Sequence, residues 1–167
     1  MTPAILAFAA ALSGPIELRT PAGETARFEL SGAPATVVIF ISTVCPISND
    51  YHDRFEALRR EQEPRGVRVL FVYSNYREPP AEIARHAVAS RFSFPVYVDA
   101  DQRLADALEA KFTPTAVVLD RSGEVRYVGA IDDSVYPARV KDRYAARAID
   151  AVLAGREPAP ARTDAAG

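Results

Sequence analysis

Cysteine is almost missing from this 167-residue chain, which has only Cys45. One thiol cannot close an internal disulfide, so packing must hold the fold. Any disulfide chemistry then needs another molecule or a second copy of the chain. Histidine occurs only twice, and together with one cysteine it falls short of a zinc site. Tryptophan is absent, and neither an internal repeat nor a Gly-rich phosphate loop is found. An excess of one charge is lacking too. The 20 basic and 22 acidic side chains leave a net charge of −2, and the arginines are scattered among acids. No basic stripe marks a nucleic-acid binder. The apolar run at residues 4–12 is too short to span a bilayer, and no other segment does better.

What is present describes one ordinary domain. Apolar residues make up 49% and charged residues 25%, enough for a real core. Residues 1–13 have the apolar centre of a secretory signal, with a small-residue cleavage site at Ala11-Leu12-Ser13 before Gly14. They lack the usual positive start, so a short helix packed on the domain is the other reading. Export to the periplasm is favoured over a cytoplasmic location. Residues 14–155 form the domain. Residues 156–167, rich in Ala and Pro, are expected to be a disordered tail.

Along the domain, Ile16–Arg19 and Ala26–Leu30 alternate in polarity around Pro21-Ala22-Gly23, which predicts an N-terminal β-hairpin. Buried strands are expected at 35–41, 67–73, 95–98 and 115–119, the last turning at Gly123 into 125–128. Helices are expected after Cys45 (inward face Ile47, Tyr51, Phe55, Leu58) and after Pro79-Pro80 (Ile83, Val88, Phe92). Two more follow Asp101 as cap and cover residues 138–153. The alternation predicts an α/β fold with a mixed central sheet flanked by helices. His52 and His86 read as exposed helix residues.

Cys45 lies where the first buried strand turns into a helix, with Pro46 suited to the first helical position. Free N–H groups and the helix dipole there favour an anion, hence a reactive thiolate. The competing reading is a small buried hydrophobe. Ile131-Asp132-Asp133 is expected to return to the same end of the sheet. Its carboxylates would oppose a thiolate or bind a partner's backbone. Tyr73, Asn75 and Tyr76 are candidates to line that face.

With Cys45-Pro46-Ile47-Ser48 at that turn and Phe112-Thr113-Pro114-Thr115 before the last hairpin, residues 14–153 resemble the thioredoxin-like superfamily. The likeness is to its redoxin branch, which includes TlpA-type proteins and the alkyl hydroperoxide reductase/thiol-specific antioxidant proteins. Thr43–Tyr51 and Tyr127–Asp133 resemble an uncharacterised bacterial group of redoxin-domain proteins. The resemblance implies a cis-proline at Pro114 and a groove in which Thr113, Pro114, Thr43 and Pro46 meet an extended substrate. It implies thiol–disulfide exchange with a protein or small thiol, and no metal, nucleotide or organic cofactor. Ser48 stands where a dithiol enzyme has its second cysteine, so an external reductant must resolve the adduct. Ser48 could hydrogen-bond the thiolate or be a plain first-turn residue. Two alternatives follow. In a one-cysteine peroxidase, Ser42 would take the position of the peroxidase threonine, although Val38 and Pro114 replace its proline and arginine. In a redox-inert binding module, only the groove is kept. Copper delivery is excluded, because that branch uses Cys-x-x-x-Cys and a distal histidine. Related chains suggest a resolving cysteine beyond a tail glycine such as Gly167.

Overall fold

The computed structural model describes residues 14–165; the expected secretory signal lies outside them. Seven strands form one sheet: β1 (Ile16–Arg19), β2 (Thr25–Phe28), β3 (Ala35–Ile41), β4 (Arg68–Tyr73), β5 (Val96–Val98), β6 (Thr115–Asp120) and β7 (Val125–Gly129). Their order is β2-β1-β5-β4-β3-β6-β7. β3 pairs parallel to β4 and antiparallel to β6, and β4 pairs parallel to β5, so the sheet is mixed. β1 and β2 form the N-terminal hairpin.

β3 buries all seven of its residues, which is why it reads as one continuous apolar run. The strand period splits that run between two cores. Val37, Ile39 and Ile41 pack with Tyr51, Phe55, Ile83 and Ile149. Tyr51 sits between α1 (Pro46–Asp50) and α2 (His52–Gln62), and the others come from α2, α3 (Pro80–Ala89) and α5 (Tyr144–Leu153). Val38 and Phe40 face the other way, against Leu104 of α4 (Arg103–Ala107) and Leu108.

The helices depart from the expected pattern at several points. The helix after Cys45 breaks at Tyr51, whose hydroxyl is drawn to Asp132. Val88 in α3 is exposed rather than inward. The cap of α4 is not Asp101: Asp99 Oδ2 accepts the Leu104 and Ala105 N–H groups at 3.0 Å. α5 starts at Tyr144, six residues later than expected, because the preceding segment bonds to Asp133. There the Asp133 carboxylate accepts the Lys141 N–H and the Asp133 N–H donates to Asp142 O.

The disordered tail is also corrected, because residues 156–165 dock along β7. Val128 N–H donates to Ala161 O at 3.1 Å and Thr163 N–H donates back to Val128 O at 3.1 Å. The Thr163 hydroxyl accepts from Ala130 N–H and pairs with the Tyr127 hydroxyl. Gly129 permits this approach, since an added Cβ would collide with the backbone and hydroxyl of Thr163.

Candidate functional site

Cys45 caps α1 with Pro46 at the first helical position, and its side chain is half-buried. Ser48 N–H donates to Sγ at 3.5 Å, and the thiol donates to Thr113 O at 3.1 Å. The next peptide bond, Thr113–Pro114, is cis. Thr115 fixes this turn by donating its hydroxyl to Phe112 O at 2.7 Å. β3 and β6 are adjacent and antiparallel, with Phe40 opposite Thr115, so the residues just past those ends meet.

The Ser48 side chain does not serve the sulfur. It is buried, and its oxygen accepts the Ser42 N–H at 3.2 Å. Only the Ser48 backbone reaches the thiol. Ser42 also turns away: its hydroxyl donates to Glu78 Oε1 at 2.5 Å and accepts the Val44 N–H at 3.2 Å. Thr43 gives both its N–H (2.6 Å) and its hydroxyl (3.0 Å) to the same Glu78 oxygen. Its carbonyl takes the Asn49 amide at 3.1 Å. Thr43 is thus a fixed point of the loop, and Pro46 is exposed beside it.

Glu78 was invisible as a candidate, because an acid before Pro79-Pro80 looks like ordinary loop surface. It is only 6% exposed and holds three donors on one oxygen, while Oε2 is buried without a partner. A second chain of polar groups backs the loop. Asn49 Oδ1 meets His86 Nε2 at 2.8 Å, and His86 Nδ1 meets the Tyr73 hydroxyl at 2.7 Å. An amide oxygen only accepts, so Nε2 carries the proton and Nδ1 accepts from Tyr73. Burial pushes the Tyr73 hydroxyl pKa well up and Glu78 adds to that, while burial lowers His86. His86 is therefore a half-buried member of the network, not an exposed helix residue.

Neither acid of the Asp132-Asp133 loop lines the thiol's groove, and Asp133 is exposed and accepts the Lys141 N–H. Asp132 is buried, accepts the Tyr51 hydroxyl at 2.7 Å and pairs with Arg54 at 2.8 Å. Arg54 also holds the carbonyls of Ser134 and Val135, which pins that loop to α2. Asn75 lines the thiol's groove; Tyr73 lies in the core, and Tyr76 is exposed.

A cavity of about 300 Å³ opens beside Cys45, bounded by Ser42, Asn75, Gln102, Lys111, Phe112 and Thr113, among others. Val44 (69% exposed) and Phe112 (57% exposed) are apolar surface in the same stretches as Cys45 and Thr113. Among the described residues no cluster of three His, Cys, Asp or Glu side chains could hold a metal.

The chain matches the Redoxin family over residues 17–143. It is 28% identical over 115 residues to the thiol-disulfide oxidoreductase YkuV of Bacillus subtilis, covering 65% of this chain and 74% of that protein. A hypothetical protein of Sinorhizobium meliloti has a similar structure, with TM-score 0.76 and 27% identity over 93% of this chain and 89% of that one. An uncharacterised conserved protein of Geobacillus kaustophilus gives TM-score 0.75 and 29% identity over 87% and 82%. More distant structures, such as that of a putative thiol:disulfide interchange protein DsbE of Chlorobium tepidum, share the fold alone, which is thioredoxin-like.

Proposed function

The chain belongs to the redoxin family, and from that premise we propose that it carries out thiol–disulfide exchange through one nucleophile, Cys45. The observation that carries this reading is the placement of Sγ: half-buried, 3.1 Å from Thr113 O, at the head of an open groove. A purely structural cysteine would be enclosed by apolar neighbours.

The thiolate attacks one sulfur of a bound disulfide, and the other sulfur leaves as a thiolate. Deprotonation frees Thr113 O, which then accepts a backbone N–H from an extended substrate. Ser48 N–H stays on the sulfur and opposes its loss of solvation. Position 48 carries no thiol, so an external thiol must release the mixed disulfide. The substrate is a protein or small-molecule disulfide, and no bound cofactor takes part in the exchange. Peroxide reduction has less support, because the hydroxyl at Ser42 is committed to Glu78 rather than to the sulfur. Export remains the proposal for residues 1–13. Among the described residues, no helix is long and apolar enough to cross a membrane.

The test is the rate of Cys45 adduct formation with 2-hydroxyethyl disulfide at pH 7, followed by intact mass, in the folded and the urea-unfolded chain. A faster reaction in the folded chain is the expected result. A slower one, or none, makes Cys45 structural and ends the exchange reading. Hydrogen peroxide consumed faster than the disulfide would replace it with the peroxidase reading.

A further inference from the structure

Resting on that exchange reading, we propose that the groove beside Cys45 selects a small thiol bearing carboxylates as the external resolving partner. Ser48 leaves the mixed disulfide without an internal resolving thiol, so the second thiol must reach Cys45 from outside. The groove is about 300 Å³, at the lower end of the range for small-ligand sites. Its walls at Ala105 and Ala110 are short side chains, which keep that space open.

The lining has a definite polarity. Lys111 is its one charged side chain, exposed and in no ion pair among the described residues. Asn75 takes the Arg77 N–H on its oxygen, which leaves its amide nitrogen to donate into the groove, and Gln102 adds a second amide. Gln102 adopts the left-handed conformation (φ 57°) that non-glycine residues seldom occupy, a cost that tends to be retained at binding sites. Two acids touch lining residues from behind, and both are turned inward: Glu78 takes the hydroxyl of Ser42, and Asp99 caps α4 and takes the hydroxyl of Ser74. No carboxylate therefore lines the groove, which offers a cation and amide donors. Its complement is an anion small enough to bring a sulfur to Cys45.

The reaction balances without any further oxidant. A target disulfide first accepts the Cys45 thiolate, and its second sulfur leaves as a thiolate. The grooved thiolate then attacks the Cys45 sulfur, releasing the target as a dithiol and leaving Cys45 joined to the small thiol. A second small thiolate displaces that adduct, so two small thiols become one disulfide and Cys45 is regenerated. Two electrons and two protons pass from the small thiols to the target.

The experiment compares three disulfide probes on the reduced protein at low salt, where exposed charges act at longer range. Oxidised glutathione is anionic, cystamine is cationic and 2-hydroxyethyl disulfide is neutral. Each adduct rate is divided by the neutral-probe rate for the same protein, and the unfolded chain supplies the intrinsic reactivities. Relative to the unfolded chain, the anionic-to-cationic ratio is expected to rise about fivefold, the upper range for one exposed ion pair. It should fall to about one in Lys111→Ala and below one in Lys111→Glu. A ratio equal to that of the unfolded chain, or unchanged in Lys111→Glu, overturns the proposal and leaves the exchange reading standing. An acidic cysteine-peptide disulfide reacting much faster than oxidised glutathione also overturns it, in favour of a peptide. Failure of the neutral probe in the wild-type protein overturns the exchange reading itself.

Discussion

The two sides of Cys45 are built differently. Beneath the sulfur, the loop 42–44 is tied by Glu78, Asn49 and the Ser48 hydroxyl, and His86 and Tyr73 back Asn49 in turn. Above it, Val44, Lys111 and Phe112 are exposed, and the side chains of Asn75 and Gln102 line the groove, Asn75 with its oxygen on the Arg77 N–H. One side has nearly every polar group paired and the other has few. Fixed geometry below and open chemistry above let a single thiol be held in place while its partner changes. Changes below should therefore alter stability and reactivity together, and changes above should alter selectivity alone.

The largest effect breaks the comparison at its centre. Cys45→Ser should abolish adduct formation with every disulfide probe, measured by intact mass, while leaving the unfolding free energy within about 0.5 kcal/mol. Retained turnover of a disulfide substrate in this variant would remove Cys45 from the chemistry.

Next comes the underside. Glu78→Ala leaves the Ser42 hydroxyl and both donors of Thr43 without their acceptor, in a buried setting. Each such orphan costs about 1–3 kcal/mol, and partial access of water limits the sum to about 3 kcal/mol. Urea unfolding checks the loss. Glu78 is a positioning residue, so the adduct rate with the neutral disulfide should fall as well. Glu78→Gln keeps an acceptor oxygen and should restore much of that rate. A variant that loses stability but keeps its full rate would show that the loop geometry does not matter to the thiol.

A related test uses the departure at position 48. Ser48→Cys places a thiol one helical turn from Cys45, within disulfide range. It should form an internal disulfide and release mixed disulfides without added thiol, seen as turnover where the parent chain stalls. The Ser42 N–H loses its hydroxyl acceptor, at a cost of about 1 kcal/mol.

Gly129→Ala acts on the tail, one strand out from β6, where Gly129 lies opposite Ala116. The new methyl would collide with Thr163 and lift the tail from β7, at a cost of about 1–2 kcal/mol. Trypsin should then cut after Arg156 and Arg162 much faster than in the parent, with the adduct rate at Cys45 unchanged.

These tests bear on the parts that reading along the chain found and the parts it missed. Cys45 and Thr113–Pro114 stand out locally: an apolar run, a helix-starting proline and an X-Pro bond before a strand each carry their own signal. The sheet follows from period-2 runs such as β3. Glu78 has no such signal, since its partners Ser42 and Thr43 lie 36 and 35 residues away in the chain. Only the pairing of β3 with β4 brings the two loops together. The tail gives no local sign of its docking for a similar reason. Its composition suggests disorder, but β7 offers backbone groups and Gly129 makes room. Val88 faces solvent although it fits the helical period, because a period over few apolar positions does not decide which of them faces inward.

The smallest effect tests the underside through protons. His86 and His52 both have pKa values lowered by burial, His52 further by the neighbouring His86 charge. Glu78 partly offsets the shift at His86. A folded-state pKa below the ordinary 6.5 means that the unfolded chain binds more protons just below that pH. Stability from the neutral rings is thus fully present above about pH 6.5 and declines as the pH falls through the lowered values. Protonating His86 would also put a proton on Nδ1, which now accepts from Tyr73. Glu56 titrates in a separate, lower window: burial raises its pKa, but hydrogen bonds from Ser93 and Arg59 outweigh that and hold it below 4.5. Urea midpoints between pH 7.5 and 5 should therefore slope downward in the parent and less steeply in His86→Gln. The double variant with His52→Gln should be nearly flat over that range. If His86→Gln keeps the full slope, the network beneath Cys45 does not hold its imidazole neutral. The contrast between a fixed underside and an open groove would then rest on Glu78, Asn49 and the Ser48 hydroxyl.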